Sequence, residues 1–181
     1  MLEKLYKRRE FIGNSLQIMA GVALLSPTLS IAKKLDIRDL SFYHTHTGKE
    51  LDVTYKIAGR YDPIALKKVN HHLRDFRTHE THPIAPHLLD ILYKIKKQAG
   101  GGTYEVISGY RSPKTNSMLR GRSTGVAKRS LHMKGMAIDV RLSGLRTKDL
   151  RDIARSLKGG GVGYYPKSDF VHLDTGRVRI W

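Results

Sequence analysis

The chain has 181 residues, 40% of them hydrophobic, which is enough for one domain with an ordinary core. A formal net charge of +17 predicts an anionic partner, but no nucleic-acid-binding motif is present and the basic residues are spread along the chain, so we expect no nucleic-acid partner. The absence of cysteine excludes disulfides, thiolate metal sites and lipid attachment through cysteine.

The amino-terminal segment has the composition of an export signal. Basic residues, an apolar run and small residues follow one another in the order of a signal peptide. Arg8–Ile12 resembles the twin-arginine export signal. The apolar run, residues 12–25, is shorter than the roughly 20 residues of a spanning helix, so a retained membrane anchor is the less favoured alternative. We predict a twin-arginine signal over residues 1–32 and a mature domain, residues 33–181, that lies in the periplasm and meets the membrane only during export.

Hydrophobic periodicity predicts two strands and two helices in the first half of the domain. Asp62 followed by Pro63 has the pattern of a helix start, with an N-cap residue and a proline at the first helical position. Three glycines, residues 100–102, end the second helix. The predicted elements are strands at 40–44 and 51–57, a turn at 47–49, a helix from 63 with apolar positions Ile64, Leu66, Val69, Leu73 and Phe76, and a helix at 86–99.

From residue 103 the apolar residues alternate with a period of two, which is typical of strands. Residues 121–129 form a polar, basic loop, and Thr147 is expected to cap the helix that begins there. Because helices come first and antiparallel strands later, we predict an α+β fold with a small antiparallel sheet flanked by helices. The predicted elements are strands at 103–108 and 137–142, a helical turn at 115–120, a helix at 147–157, and a hairpin of strands at 162–165 and 170–173.

Two histidines and one aspartate on short apolar segments have the residue types of a catalytic zinc site. His132 and Asp139 lie on either side of Gly135, and His172 lies on a later predicted strand. Catalytic zinc is held by three nitrogen or oxygen ligands and leaves a fourth position to water. A loop-to-strand segment that contains a glycine allows His132 and Asp139 to approach one ion. We therefore predict these three residues as zinc ligands.

The alternation of the strands places the candidate ligands on the polar face. Asp139 shares a face with Arg141, and His172 shares a face with Asp174, while the residues between them are apolar. An aspartate on an apolar strand is costly unless it has a strong partner, and a metal ion is one such partner. Without the second histidine, a structural hydrogen bond between His132 and Asp139 would be the better interpretation.

The pattern Ser-x-His-x6-Asp, followed by His-x-Asp, resembles the zinc D-Ala-D-Ala carboxypeptidase and lysostaphin-type group of cell-wall peptidases. Within that group, nearly the whole chain is similar to the MepK-type murein endopeptidases. The resemblance implies that His132, Asp139 and His172 bind Zn²⁺, that a small antiparallel sheet flanked by helices holds them, and that the substrate is the cross-link peptide of peptidoglycan. The segments that carry it are residues 108–112, 125–128, 130–139, 160–166 and 170–176, with Trp181 after them.

Two further residues are candidates for the catalytic step. Related peptidases have an arginine in the motif that holds Arg111, which makes it a candidate for stabilising the oxyanion or binding a substrate carboxylate. A surface arginine is the alternative. Asp169 stands three residues before His172, where several relatives carry an acid, so it is a candidate general base. An ordinary turn residue is an equally good interpretation of Asp169.

Other polar residues near the candidate ligands have more modest expected roles. Ser130 positions the loop, and Asp174 either accepts a hydrogen bond from a ligand imidazole or caps the end of its strand. His79 and His82 are close enough in sequence for a second metal, but we expect them to be surface or packing residues. Four basic residues are expected to surround the site and to bind substrate carboxylates, namely Lys128, Arg129, Lys134 and Arg141.

These features favour a periplasmic zinc endopeptidase that hydrolyses the peptide cross-links of peptidoglycan. The resemblance favours the bond between two diaminopimelate residues, with the bond between D-Ala and diaminopimelate second. A D-alanyl-D-alanine carboxypeptidase with the same metal chemistry and a non-catalytic cell-wall-binding domain are the alternatives. An exported nucleic-acid-binding protein is the least favoured hypothesis.

Overall fold

The computed structural model of the protein describes residues 35–123 and 125–181, and the predicted export signal lies outside them. Within the described part of the chain, no helix is both long and apolar enough to cross a bilayer. The helices are α1 (Pro63–His72), α2 (Pro86–Gln98), α3 (Pro113–Arg122) and α4 (Thr147–Ser156). The strands are β1 (Ile37–His44), β2 (Lys49–Ile57), β3 (Arg60–Tyr61), β4 (Tyr104–Ser108), β5 (Ala137–Leu142), β6 (Gly161–Tyr165), β7 (Phe170–Asp174) and β8 (Arg179–Ile180).

The strands form one sheet in the order β3-β2-β1-β4-β5-β7-β6-β8. Together with the helices, this sheet confirms the predicted α+β class. The sheet is mixed rather than wholly antiparallel, because β1 pairs with β4, and β6 with β8, in parallel. Between β3 and β4 the chain passes through two helices, and a crossover of that length allows β4 to run in the same direction as β1.

Helix α1 begins as the sequence predicts and buries most of the predicted apolar positions, but not Ile64. The Asp62 carboxylate accepts a hydrogen bond from the backbone nitrogen of Ile64 at 2.8 Å. The buried residues are Ala65, Val69 and His72, whose spacing makes one stripe along the helix. Of the apolar positions that the periodicity identified, Val69 and Leu73 are fully buried, whereas Ile64 is not. Its side chain lies off that stripe and is 67% exposed.

Two other helices differ from their predictions at the amino-terminal end. Helix α3 has ten residues rather than a short turn, because Ser112 caps it and Pro113 starts it earlier than expected. The N-cap of α4 is Arg146, so the prediction that Thr147 caps this helix is wrong. The Thr147 hydroxyl instead donates a hydrogen bond to Asp169 Oδ1 at 2.8 Å.

Helix α2 packs on the sheet through apolar side chains and one buried carboxylate. Asp90 accepts hydrogen bonds from the hydroxyls of Tyr55 at 3.0 Å and Tyr61 at 2.7 Å. It also pairs with Arg38 at 3.0 Å and Lys56 at 3.2 Å. Because these four partners come from β1, β2 and β3, Asp90 attaches the helix to that edge of the sheet. The fully buried apolar residues of α2 are Leu88, Leu89, Leu92 and Ile95.

His44, at the end of β1, and His72, at the end of α1, form a buried pair of imidazoles. The residues are 1% and 7% exposed, and their ring centroids are 6.0 Å apart. Neither Nε2 atom has a hydrogen-bond partner among the described residues. Burial lowers the pKa of each imidazole to about 4. The positive charge of Arg74 lowers both pKa values further. His46 also lowers the pKa of His44, and His71 also lowers the pKa of His72.

We expect this pair to make the fold less stable in acid. The folded-state pKa of about 4 lies below the ordinary value of 6.5, so the stability from the neutral rings is complete above pH 6.5 and is lost as the pH falls towards 4. His72→Leu should reduce the loss of unfolding free energy between about pH 7 and about pH 5 by roughly 2 kcal/mol, measured by urea denaturation. The exposed control His87→Gln should keep the wild-type pH dependence. An unchanged pH dependence in His72→Leu would contradict the assignment.

Candidate metal centre

Strand pairing brings Asp139 and His172 together. Asp139 lies on β5 and His172 on β7, and the two residues are direct partners in the antiparallel register. Directly opposed residues place their side chains on the same face of a sheet at contact distance. The Nδ1 atom of His172 accordingly lies 2.8 Å from Asp139 Oδ1.

His132 reaches the same place from a short 3₁₀ helix, Leu131–Lys134, that precedes β5. The Ser130 hydroxyl caps this helix by accepting a hydrogen bond from the backbone nitrogen of His132 at 3.3 Å. Gly135 ends the helix with a φ of 63°, in the left-handed region that favours glycine. A Cβ atom at Gly135 would also collide with the carbonyl oxygen of Pro83. The glycine therefore allows the chain to turn sharply from His132 into β5.

The side chains of His132, Asp139 and His172 converge on one point. His132 Nε2 lies 3.2 Å from Asp139 Oδ1 and 3.2 Å from His172 Nδ1. Donor atoms that are about 2.0–2.1 Å from one tetrahedral ion lie about 3.3 Å apart, which is close to this spacing. The three residues can hold a metal ion. They are the three that the sequence predicts as ligands.

Each imidazole is oriented by an acceptor on its remote nitrogen. His132 Nδ1 donates to the carbonyl oxygen of Gly109 at 2.7 Å, and His172 Nε2 donates to Asp174 Oδ2 at 2.9 Å. Because these nitrogens carry the protons, the lone pairs of His132 Nε2 and His172 Nδ1 face Asp139. Two lone pairs and a carboxylate oxygen at this spacing repel one another unless a cation or a proton joins them. The donor set therefore fits a divalent metal ion.

Burial and charge act in opposite directions on these groups. Burial alone would raise the pKa of Asp139, but His132, His172 and the Arg111 guanidinium hold it well below its ordinary value. Burial lowers the pKa of His132. Burial alone would also lower the pKa of His172, but hydrogen bonds to Asp139 and Asp174 raise it instead. Asp139 and Asp174 favour the protonated form of His172, and their negative charges also attract a metal ion.

Asp174 is a buried carboxylate that joins several parts of the site. Its Oδ1 accepts hydrogen bonds from the backbone nitrogens of Gly161 at 3.1 Å and Gly176 at 2.8 Å. Arg179 Nη2 pairs with Oδ2 at 2.7 Å, and this oxygen also accepts the hydrogen bond from His172. Burial opposes ionisation, but these donors hold the pKa of Asp174 well below its ordinary value. Asp174 is therefore an ionised acceptor for a candidate ligand, one of the two roles that the sequence suggests for it.

Arg111 lies against the candidate ligands. Its Nη2 atom pairs with Asp139 Oδ2, and its Nε atom donates to Ser108 Oγ at 2.8 Å. Its backbone nitrogen donates to the carbonyl oxygen of His132 at 3.3 Å. The side chain is only 14% exposed, which does not fit the alternative of a surface arginine. Asp139 thus directs one oxygen to the imidazoles and the other to Arg111.

Asp169 is not brought to the candidate metal centre. Its Oδ1 accepts the Thr147 hydroxyl, its Oδ2 pairs with Arg141 at 3.3 Å, and its side chain is 60% exposed. These three residues line a separate cavity. Asp169 has a φ of 49° in the turn between β6 and β7, where the chain reverses before His172. This placement fits the alternative of a turn residue better, and the role of general base stays a prediction.

A cavity of about 510 Å³ opens beside the three candidate ligands. Its wall includes three aromatic residues, Tyr165, Phe170 and Trp181, which the sequence analysis did not single out as site residues. Alternation along β7 puts Phe170 on the same face as His172, and the hairpin register pairs Phe170 with Tyr165. The hairpin pattern in the sequence was therefore a signal that Tyr165 lies on the side of the candidate ligands. Among the described residues that line this cavity, Asp139 is the sole carboxylate.

The basic and histidine residues near the site divide into two groups. Arg129 lines the cavity together with Arg111, as expected. Arg179 also lines it, although it was not predicted as a site residue. Arg141 instead pairs with Glu105 and Asp169 on the separate cavity, so its predicted place around the candidate ligands is wrong. Lys128 and Lys134 are not among the described residues that line the cavity. His82 stacks on Tyr110 with centroids 4.9 Å apart, as expected of a packing residue, and His79 is exposed.

Comparison with known proteins gives a match over almost the whole chain. The peptidase M15 family described as peptidoglycan L,D-endopeptidase MepK matches residues 32–181. The chain belongs to this peptidase family. Membership in the MepK family confirms the resemblance that the sequence motifs indicate, and the matched segment contains His132, Asp139 and His172.

Individual members of the MepK family are similar over nearly their full length. The probable peptidoglycan L,D-endopeptidase MepK of Haemophilus influenzae is 41% identical over 167 residues, which is 91% of this chain and 90% of the relative. The peptidoglycan L,D-endopeptidases MepK of Escherichia coli K12 and Shigella flexneri are each 40% identical over 166 residues, 91% of both chains. The family match, residues 32–181, covers the whole described fold and the cavity.

Proposed function

We propose that this protein is a zinc-dependent peptidoglycan L,D-endopeptidase. It hydrolyses the peptide bond between two diaminopimelate residues of a cross-link, with the bond between D-Ala and diaminopimelate as a second substrate. One observation carries the proposal. In a member of the MepK family, His132 Nε2, Asp139 Oδ1 and His172 Nδ1 lie within 3.2 Å of one another beside an open cavity.

Zinc suits this set of donors. Two imidazoles and one carboxylate, with room for a fourth partner, are a ligand set of catalytic zinc in hydrolases. Bound zinc supplies hydroxide from water near neutral pH and polarises the peptide carbonyl. In this chain His132, Asp139 and His172 would hold the ion, while the Gly109 carbonyl and the Asp174 carboxylate keep both imidazoles in the binding tautomer.

Arg111 has the position to act on the substrate. Its guanidinium uses donors for Asp139 and Ser108 and also lines the cavity, so its remaining N–H groups are available to a substrate oxygen. There it stabilises negative charge that develops on the carbonyl oxygen or binds a free carboxylate. Arg129 and Arg179 line the same cavity and suit the carboxylates that stem peptides carry.

Incubation of purified residues 33–181 with cross-linked muropeptides tests this function. Dimers joined through two diaminopimelate residues should be converted to monomers, a chelator should stop the reaction, and added zinc should restore it. Released D-alanine without cleaved dimers would identify a carboxypeptidase instead. Binding without any product would identify a cell-wall-binding domain.

We also propose that the protein acts in the periplasm after twin-arginine export. The order of basic, apolar and small residues over residues 1–32 supports this location. Arg8→Lys combined with Arg9→Lys should leave the precursor in the cytoplasm, measured by fractionation and by the size of the product. The matched control, Lys4→Arg with Lys7→Arg, keeps the charge and should be exported normally. A double-lysine variant that reaches the periplasm would refute this route.

A further inference from the structure

Trp181 is held rigidly at the edge of the candidate metal centre. Its backbone nitrogen donates to Val162 at 3.2 Å, and its carbonyl oxygen accepts from the Tyr164 nitrogen at 2.9 Å. Its indole Nε1 donates to the Tyr165 hydroxyl at 2.9 Å. A Cβ atom at Gly163 would lie 2.6 Å from the indole ring, so a glycine makes room for the ring against β6. The backbone and the ring are both fixed.

This fixed ring lies next to a candidate metal ligand. The ring centroids of Trp181 and His172 are 5.2 Å apart, and the Arg179 guanidinium lies 4.7 Å from the indole centroid. Yet Trp181 is 47% exposed, and it lines the cavity that His132 and His172 also line. A large aromatic side chain that is immobilised but exposed beside a site loses little conformational freedom on meeting a ligand.

The rest of the cavity shows what kind of group meets this ring. Tyr165 and Phe170 stack with centroids 4.6 Å apart and line the same cavity as Trp181. Arg111 and Arg129 line it as well and provide positive charge. An aromatic wall with arginines nearby suits a ligand that combines CH-rich surface with carboxylates. A diamino acid of the cross-link, with its methylene chain and free carboxylate, has that combination.

We propose that Trp181, supported by Tyr165, forms the subsite for the CH-rich part of the substrate next to the scissile bond. This inference rests on the proposed function of the protein. The methylene chain of the diamino acid is the favoured occupant, because the ring is 5.2 Å from a candidate ligand imidazole and the cross-linking residue is the part of the substrate that must approach the metal. A sugar ring of the glycan has similar CH-rich surface and is distinguished by experiment.

Trp181 is the only tryptophan in the sequence, so its fluorescence reports this subsite directly. The zinc-loaded protein is titrated with the monomeric stem peptide, which is a product and is not cleaved further, with and without its disaccharide. A saturable blue shift with both ligands supports the peptide subsite. A shift only with the disaccharide assigns the subsite to the glycan and overturns the peptide assignment. No shift with either ligand overturns the subsite.

Kinetics on a cross-linked dimer without glycan provides the second test. Trp181→Ala should lower kcat/KM by about tenfold or more, mainly through KM, with kcat within about threefold. Trp181→Phe should recover most of the loss, because it keeps an aromatic face. The control Ile180→Ala removes a 53% exposed neighbour in β8 that is not among the cavity residues, and it should change kcat/KM less than about twofold.

Two measurements separate this subsite from a structural role. Zinc content and melting temperature should be the same in Trp181→Ala and Ile180→Ala. An unchanged KM in Trp181→Ala, or a loss of zinc that accounts for its lower activity, would overturn the proposal. If the wild-type protein cleaves no cross-link, the proposed function fails, and the fluorescence titration still decides whether Trp181 meets the stem peptide.

Discussion

Asp139→Asn is expected to lower cross-link hydrolysis by at least about a thousandfold. Asparagine has nearly the same shape but no negative charge, so the electrostatic attraction between a divalent ion and Asp139 is lost. The ion-binding atoms that remain are the imidazole nitrogens, His132 Nε2 and His172 Nδ1, and a weak amide oxygen. Zinc content by elemental analysis should fall together with activity. Added zinc should restore little of it, because the carboxylate that pairs with Arg111 is also missing.

Asp169→Asn is the matched control for this variant. It removes the same charge from a residue whose carboxylate contacts Thr147 and Arg141 and lines a separate cavity. Hydrolysis should stay within about threefold of wild type, with full zinc content. A thousandfold loss in Asp169→Asn would support its predicted role as general base. Full zinc content and activity in Asp139→Asn would rule out the proposed metal centre.

Asp174→Asn is expected to weaken zinc binding by about 10–100-fold. The carboxylate accepts hydrogen bonds from His172 Nε2, from Arg179 and from two backbone nitrogens, and its side chain is fully buried. An asparagine amide has one acceptor oxygen in place of two, so at least one of these donors loses its partner. His172 is then less firmly oriented and less basic. Competition with a chromogenic chelator measures the affinity.

The response to added zinc distinguishes this variant from a loss of ligands. All three candidate ligands remain in Asp174→Asn, so hydrolysis at saturating zinc should approach the wild-type rate. The control Asp152→Asn removes an exposed carboxylate whose ion pairs, among the described residues, are with Arg151 and Arg155, and it should bind zinc as the wild type does. Wild-type affinity in Asp174→Asn would show that His172 needs no acceptor.

The elements with a strong local pattern were the ones that the sequence predicted well. Strand β5 has the predicted bounds, because apolar residues alternate along it with Asp139 and Arg141. Helix α1 begins at Pro63, after the predicted cap Asp62. The errors concern positions where a tertiary contact decides. Ile64 looks apolar enough for the core, but it lies one residue off the stripe that faces the sheet.

Asp169 shows why spacing along the chain does not decide where a side chain lies in the fold. It lies three residues before His172, but its positive φ and the hydrogen bond from Thr147 direct its carboxylate towards Arg141. Thr147 begins a helix that is 22 residues away along the sequence. A local motif contains no information about such a partner. The predicted cap role of Thr147 was wrong because Arg146 is the N-cap and the Thr147 hydroxyl binds Asp169 instead.

The sequence by itself determined which residue types the candidate site contains, because residue types and strand alternation are local properties. Two imidazoles and a carboxylate on short apolar segments, together with the family resemblance, were sufficient to predict His132, Asp139 and His172 as candidate ligands. Only the tertiary structure decided how they meet. His132 and His172 are 40 residues apart, and they meet because the register of β5 against β7 pairs Asp139 with His172 and the turn at Gly135 returns His132 to the same place. The folded chain likewise supplies the Gly109 carbonyl behind His132 and the ring of Trp181 beside His172, because such contacts depend on strand pairing between distant segments.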